Sequence, residues 1–365
     1  MLTGQRSGDL TAGGRKGNGR GGLWCWKDKD KEKHSAHATG TTHHRGDTEM
    51  AKYKVACLEV YPPDIRAEIE SQIPEGFEMA FAKSYDDEER FALVSDADFI
   101  WFAGPHPLLG KHMDAAGKVK LIQKWGIGVD TIDLKAAAER GIPVAITAGS
   151  NATVVAEHTV MLMLAAYKRL AYVDRNLRQG RWLKSASRGF SYQLRGKTVG
   201  IVGLGNIGKE VAKRVRAFEC RVIYYDKVRP SAGVERQLGA EFRPLDDLMA
   251  EADVVTLHVP LAPDTENLID ARRLSLMKPK SIIVNCARGG VVDEAALVNA
   301  PRSGQIHAAG IDVFAEEPAT AGNPLFELDN VVLTPHTAGG VIDNVPNVAR
   351  HCFANMQKVA RGEPL

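Results

Sequence analysis

Lys197-Thr-Val-Gly-Ile-Val202 runs straight into Gly203-Leu-Gly-Asn-Ile-Gly208 and then into Lys209-Glu-Val-Ala-Lys-Arg-Val215. A β-rich apolar run, a three-glycine turn and a helix start thus follow one another without a linker, which is the order a dinucleotide cradle needs. Gly203 permits the tight turn, Gly205 lets backbone approach a pyrophosphate, and Gly208 lets helix and strand pack closely. Asn206 and Ile207 fall where the helix opens, so their N–H groups and the positive dipole end face the same place. The next apolar run, Cys220 to Tyr225, closes on Asp226, which completes the longer fingerprint.

Working outward, 365 residues suffice for two domains with separate cores, and a formal net charge of only +2 gives no electrostatic reason to expect nucleic acid or an anionic membrane as partner. The five cysteines (Cys25, Cys57, Cys220, Cys286, Cys352) are widely spaced with no CxxC, so neither a disulfide framework nor a metal site is implied, and a reducing, cytoplasmic compartment is expected. Val160 to Tyr167 is too short to span a bilayer, and a soluble protein is expected. Residues 1–49 are different: ten of the 35 glycines, four histidines (His34, His37, His43, His44) and the charge run Lys27 to Lys33 leave little apolar surface to bury. We expect a disordered extension there, with Met50 as the natural start of the folded chain.

From Tyr53 onward, apolar runs alternate with amphipathic segments, implying α/β architecture with mostly parallel sheets. Strands are expected at Lys54–Val60, Asp98–Ala103, Leu121–Trp125 and Pro143–Ile146, with helices at Ile65–Gln72 and Leu134–Arg140. A long helix, Thr153 to Leu170, leads into an Arg-rich aromatic stretch ending near Leu194. After the glycine turn, strands are expected near Cys220–Tyr225, Val254–Val259, Ser281–Asn285, Ala308–Val313 and Val331–Thr334. The intervening helices should be Leu245–Glu251, Asp270–Met277 and Asp293–Asn299, the last stopped near Pro301. A final helix, Asn344 to Ala360, comes too late to extend the nucleotide sheet and should cross back to the first unit. The expected organisation is two Rossmann-like doubly wound domains: a flavodoxin-like substrate domain (50–150 and 337–365) with the NAD-binding domain (151–336) inserted into it.

Three of these strands end on an ionisable residue: Arg288 after Asn285-Cys-Ala, Glu317 before Pro318, and His336 after Thr334-Pro. Each taken alone is ordinarily a turn or surface residue. Together they lie at the carboxyl edge of one nucleotide sheet, where ligands of open α/β sheets bind. The set suits hydride transfer to a 2-keto acid. An imidazole titrates near working pH and can protonate the forming oxyanion, a carboxylate partner favours the imidazolium, and a guanidinium binds a substrate carboxylate through paired hydrogen bonds.

From Lys54 to the C-terminus the chain resembles the D-isomer-specific 2-hydroxyacid dehydrogenase family. The resemblance is carried by Gly126-Ile-Gly-Val-Asp-Thr-Ile-Asp133, Asn151 to His158, Gly203 to Gly208, His258 to Thr265, Asn285 to Gly290, Asp312 to Pro318 and Thr334-Pro-His336. It implies Arg288 as substrate anchor, His336 as general acid or base and Glu317 as its partner. It further implies Asp226 on the adenosine ribose and a cofactor surface including His258, Val259, Pro260, Thr265, Cys286, Ala287 and Asp312, the last facing the nicotinamide carboxamide. A carboxylate at 226 repels a 2′-phosphate, so NAD is expected, with Lys227 and Arg229 able to tolerate NADP at lower affinity.

The resemblance also implies that specificity comes from two first-domain loops, with backbone N–H groups of Ala103, Gly104, Ile127 and Gly128 receiving the substrate. The first loop lacks the arginine that phosphoglycerate-type relatives often place there. Trp101, Phe102 and His106 suggest a partly apolar pocket for a small 2-keto acid, or else Trp101 and Phe102 are core residues. D-3-phosphoglycerate dehydrogenase activity and an NAD(H)-sensing corepressor-like binding protein stand as alternatives. A homodimer formed through residues 153–194 is expected, with no metal.

Overall fold

The computed structural model describes residues 53–365 apart from residue 105; the expected N-terminal extension and the start at Met50 lie outside the described residues. Among the described residues twelve strands form two wholly parallel sheets. The first holds β1 (Tyr53–Cys57), β2 (Phe77–Phe81), β3 (Phe99–Phe102), β4 (Leu121–Lys124) and β5 (Val144–Ala145) in the order β2-β1-β3-β4-β5, the flavodoxin-like arrangement. The second holds β6 (Thr198–Val202), β7 (Arg221–Tyr225), β8 (Ala240–Phe242), β9 (Val254–Leu257), β10 (Ile282–Asn285), β11 (Ala308–Ile311) and β12 (Val331–Leu333). Its order is β12-β11-β10-β9-β6-β7-β8, so the chain reverses direction across the sheet between β6 and β9. The glycine turn follows β6, at that switch point, where open α/β sheets bind ligands.

Strands covered by helices on both faces must be apolar on both, which is why β9 and β10 read as unbroken runs with every residue buried. The helix Ala152–Lys168 covers one face of the second sheet: Val155, Ala156, Leu162 and Met163 share a core with Val199, Ile201, Ile282 and Val284. Gly310 on β11 makes this contact close, since a Cβ there would lie 2.9 Å from the Leu162 Cβ. The helix Val345–Ala360 packs instead on the first sheet, with Val348, Cys352, Phe353 and Met356 against Val55, Trp101 and Leu121.

Several local expectations differ from the structure. The long helix ends at Lys168, because Arg169 adopts a left-handed conformation (φ 47°) before a second helix, Leu170–Arg178. The helix Glu294–Arg302 runs through Pro301 to its last turn, where the missing N–H removes only one terminal bond. Edge strands β2 and β8 and the helices Asp87–Val94, Gly110–Asp114 and Ala232–Leu238 had no reading in the sequence. Trp101 and Phe102 are core residues, 0% and 1% exposed, so they do not line an apolar pocket; the indole of Trp101 packs between Trp125 and Phe353.

Candidate active site

The glycine turn is shaped for close approach. Gly203 has φ 96°, and a Cβ there would fall 2.7 Å from the His258 carbonyl oxygen. At Gly208 a Cβ would stand 2.1 Å from the Gly203 carbonyl oxygen, so any side chain would push the helix Asn206–Ala217 off β6. Gly205, by contrast, has nothing within 4 Å of a Cβ position, leaving its backbone open where that helix begins. Asp226 stands at the end of β7, its carboxylate accepting from the Leu204 N–H (2.7 Å) and the Val228 N–H (3.1 Å). A cradle with open backbone over a helix N-terminus and a fixed carboxylate one strand away fits a dinucleotide. Lys227 pairs with Asp264, and Arg229 with Glu235 at 2.7 Å, so both expected 2′-phosphate acceptors already hold counter-charges.

Other residues of the expected cofactor surface turn elsewhere. The Thr265 hydroxyl donates to the Pro260 carbonyl (2.6 Å) and accepts from the Ala262 N–H, closing its own loop. Cys286 is buried in the core, where burial pushes its thiol up to about 12. The Ala287 N–H donates to the Asn285 side chain, and its carbonyl accepts from Arg288. His258 hydrogen-bonds Thr256 through Nε2; burial pushes the ring down to about 3, so it is neutral, and its buried Nδ1 has no partner among the described residues. Val259 is half-buried beside it, and Pro260 is exposed.

Asp312, the residue expected at the nicotinamide, is fully buried, and its carboxylate is bonded into the histidine loop. It accepts from the Thr334 hydroxyl (2.6 Å), the Thr337 N–H (2.9 Å) and the Ala338 N–H (3.0 Å), with the Asp312 carbonyl accepting from the His336 N–H (2.7 Å). His158, on the helix Ala152–Lys168, reaches the same knot through Thr334 (3.0 Å). These bonds hold His336 in a left-handed conformation (φ 53°) that a non-glycine residue adopts only when its surroundings impose it.

His336 Nδ1 lies 2.7 Å from Glu317 Oε2, and the Phe314 N–H donates to the other carboxylate oxygen at 3.0 Å. Burial works to raise the Glu317 carboxyl, but the His336 and Phe314 hydrogen bonds and the charges of His336 and Arg288 outweigh it and hold the group below the ordinary glutamate range. An ionised Glu317 accepts the hydrogen bond from Nδ1–H and leaves Nε2 of the half-exposed ring for chemistry. Arg288 is aimed by two contacts: Nε donates to Asp130 Oδ2 (2.8 Å) and one terminal nitrogen to its neighbour's carbonyl, Ala287 (2.7 Å). Its other terminal nitrogen lies over Gly128, only 1.4 Å from where a Cβ would be, so a side chain there would displace the guanidinium. The Arg288–Asp130 pair joins the carboxyl edges of the two sheets. Ile127, beside Gly128, is exposed.

At the other first-domain loop the expected open donors are taken. The Ala103 N–H donates to Glu59 Oε1 at 3.2 Å, and a Cβ on Gly104 would lie 2.2 Å from that same oxygen. Lys124, at the end of β4, donates its ammonium to the Ala103 carbonyl. Sequence reasoning passed over Glu59, Lys124 and Asp130. The last sits inside the Gly126 to Asp133 motif and so carried a signal, but the other two carried none beyond being charges next to strands.

The NAD-binding-domain model of the D-isomer-specific 2-hydroxyacid dehydrogenases matches residues 160–338. The chain is 42% identical to D-3-phosphoglycerate dehydrogenase of Archaeoglobus fulgidus over 255 residues, covering 69% of this chain and 47% of that one. It spans about half the length of the first curated relatives it matches. It is 37% identical to glyoxylate reductase of Korarchaeum cryptofilum over 298 residues, 80% of this chain and 90% of the relative. The crystal structure of TT0316 from Thermus thermophilus superposes with a TM-score of 0.75 at 33% identity, over 85% of this chain and 97% of that one. Likeness along nearly the whole of two relatives, together with the glycine cradle and the Arg288, Glu317 and His336 set, means that this chain belongs to the D-isomer-specific 2-hydroxyacid dehydrogenase family.

Proposed function

We propose that the protein is an NAD-dependent oxidoreductase interconverting a D-2-hydroxy acid and its 2-keto acid. The observation that carries this reading is the His336–Glu317 pair at 2.7 Å beside an Arg288 fixed by Asp130, all at the carboxyl edge of a sheet with a dinucleotide cradle. The names of relatives that cover both dehydrogenase and reductase activities support it.

Gly203, Gly205, Asn206, Ile207, Gly208 and Asp226 would hold NAD(H), which when bound supplies or accepts the hydride. Arg288 binds the substrate carboxylate and sets the 2-carbon in register. In the reducing direction the His336 imidazolium gives its Nε2 proton to the carbonyl oxygen as that oxygen gains charge, while Glu317 keeps Nδ1 protonated and balances the cation. In the oxidising direction the neutral ring takes the hydroxyl proton at the same nitrogen. Asp312 and His158 act on the loop: they hold His336 where it can do this.

We also propose a division into a substrate domain (50–150 and 337–365) and an inserted NAD domain (151–336), and a cytoplasmic homodimer. The described cysteines, Cys57, Cys220, Cys286 and Cys352, are buried with free thiols. Met161, Leu164, Leu170, Leu177 and Trp182, which is 75% exposed, give the 153–194 region apolar surface to cover. Among the described residues no helix is long and apolar enough to cross a membrane. The test is NADH oxidation with glyoxylate, hydroxypyruvate, pyruvate and branched 2-keto acids. Turnover on at least one supports the reading, and tight NADH binding with turnover on none favours the nucleotide-sensing alternative.

A further inference from the structure

Ala103 is gripped from both sides by opposite charges. Glu59, two residues beyond β1, takes its N–H, and Lys124, the last residue of β4, bonds its carbonyl. Both side chains are buried, at 5% and 6% exposure, although they are charged and lie at the sheet edge facing Arg288. Burial of this kind is costly unless each charge answers another. The second Glu59 oxygen is reached by the Tyr85 hydroxyl at 3.4 Å, and Gly104 leaves room for the carboxylate against its Cα. Lys124 also lies over the Phe102 ring. The charges around it are Glu59, Asp130 and Arg288, and Arg90 adds its charge behind Glu59.

The opposed charges on the substrate side therefore match: Arg288 answers Asp130, His336 answers Glu317, and Lys124 answers Glu59. Arg288 alone is directed at a substrate carboxylate. A second anionic group arriving at the Ala103–Gly104 loop finds its N–H engaged and a carboxylate already there.

We propose that Glu59 and Lys124 are specificity-determining residues that restrict this site to 2-keto and 2-hydroxy acids with one carboxylate and a short uncharged remainder, excluding dicarboxylates and phosphorylated acids. This rests on the oxidoreductase reading above and narrows its substrate class. Glu59 repels a second anion, and Lys124 neutralises Glu59 enough for a first one to bind beside it. Burial lowers Lys124 to about 8, with Glu59 and Asp130 opposing and Arg288 reinforcing, so the balance should weaken above that pH.

The test compares kcat/KM of the full chain with NADH for glyoxylate and hydroxypyruvate against oxaloacetate, 2-oxoglutarate and 3-phosphohydroxypyruvate. The wild type should favour the single-carboxylate acids. Glu59→Gln, which leaves Lys124 without its counter-charge, should move the ratio toward the doubly charged acids by about tenfold, and Lys124→Met should move it the other way. Because the ratio is taken within one protein, a loss of active enzyme cancels. If Glu59→Gln gives no folded protein, Lys124→Met against Lys124→Arg carries the test, with the arginine variant restoring the wild-type ratio. Ratios that stay fixed, variants that both shift the same way, or a wild type that prefers a doubly charged acid would overturn the proposal. A wild type that turns over none of the acids removes the oxidoreductase reading itself, and this inference with it.

Discussion

On the seven-stranded side of the molecule, Arg288, Glu317 and His336 each stand in the turn that follows their own strand, and apart from Arg288, which Asp130 aims from the other sheet, their direct supports are near in sequence or in the same sheet. On the five-stranded side, Ala103 follows β3 while the charges that grip it come from beyond β1 and from the end of β4, which flank β3 in the sheet. The first kind of site is local and the second depends on strand order. The nucleotide side is thus specified by short motifs that many chemistries share, and the substrate side by long-range pairing.

Substitutions can break that contrast in order of size. His336→Ala should lower turnover about a thousandfold while NADH affinity, measured by fluorescence titration, stays within about twofold. Parallel loss of both would place His336 in cofactor binding instead. Arg288→Lys should cost about a hundredfold in kcat/KM, because an ammonium cannot reproduce the guanidinium fork that Asp130 aims; an unchanged kcat/KM would remove Arg288 from the substrate. Exchanging Asp226 for serine should raise the NADP to NAD preference ratio about tenfold and no further, since Lys227 and Arg229 keep their acidic partners.

The smallest effect is on pH. Glu317 is held below its ordinary range, so the pair's contribution to folding is complete above the free-glutamate value and is lost only as pH falls through the depressed one. Glu317→Gln should remove this acid-side loss, so the difference in melting temperature between wild type and variant should shrink as pH falls below the free-glutamate range. A difference that stays constant with pH would mean the pair does not contribute to folding.

Much of the second sheet was legible because its strands are buried on both faces and read as largely apolar runs, and because glycines 203 and 208 have backbone reasons to be glycine. The trio was legible because strand ends are where such sheets bind ligands. Edge strands β2 and β8 were not: Phe77 to Phe81 and Ala240 to Phe242 are short and half covered, and their pattern is weak. Asp312 was legible as a strand-end residue, but the three donors converging on its carboxylate show only in the folded loop. Trp101 and Phe102 stayed open between core and pocket because apolar residues before a loop serve both equally well, and the helix Val345–Ala360 that covers Trp101 lies more than two hundred residues away.

The central claim is hydride transfer at a D-configured 2-carbon, with His336 as the acid and Arg288 as the anchor. The most direct measurement is the configuration of the product when the best of hydroxypyruvate, pyruvate and the branched 2-keto acids, each of which yields a chiral 2-carbon, is reduced with NADH and resolved by chiral chromatography. The account predicts the D-2-hydroxy acid alone, and formation of the L isomer or of a racemate would contradict it.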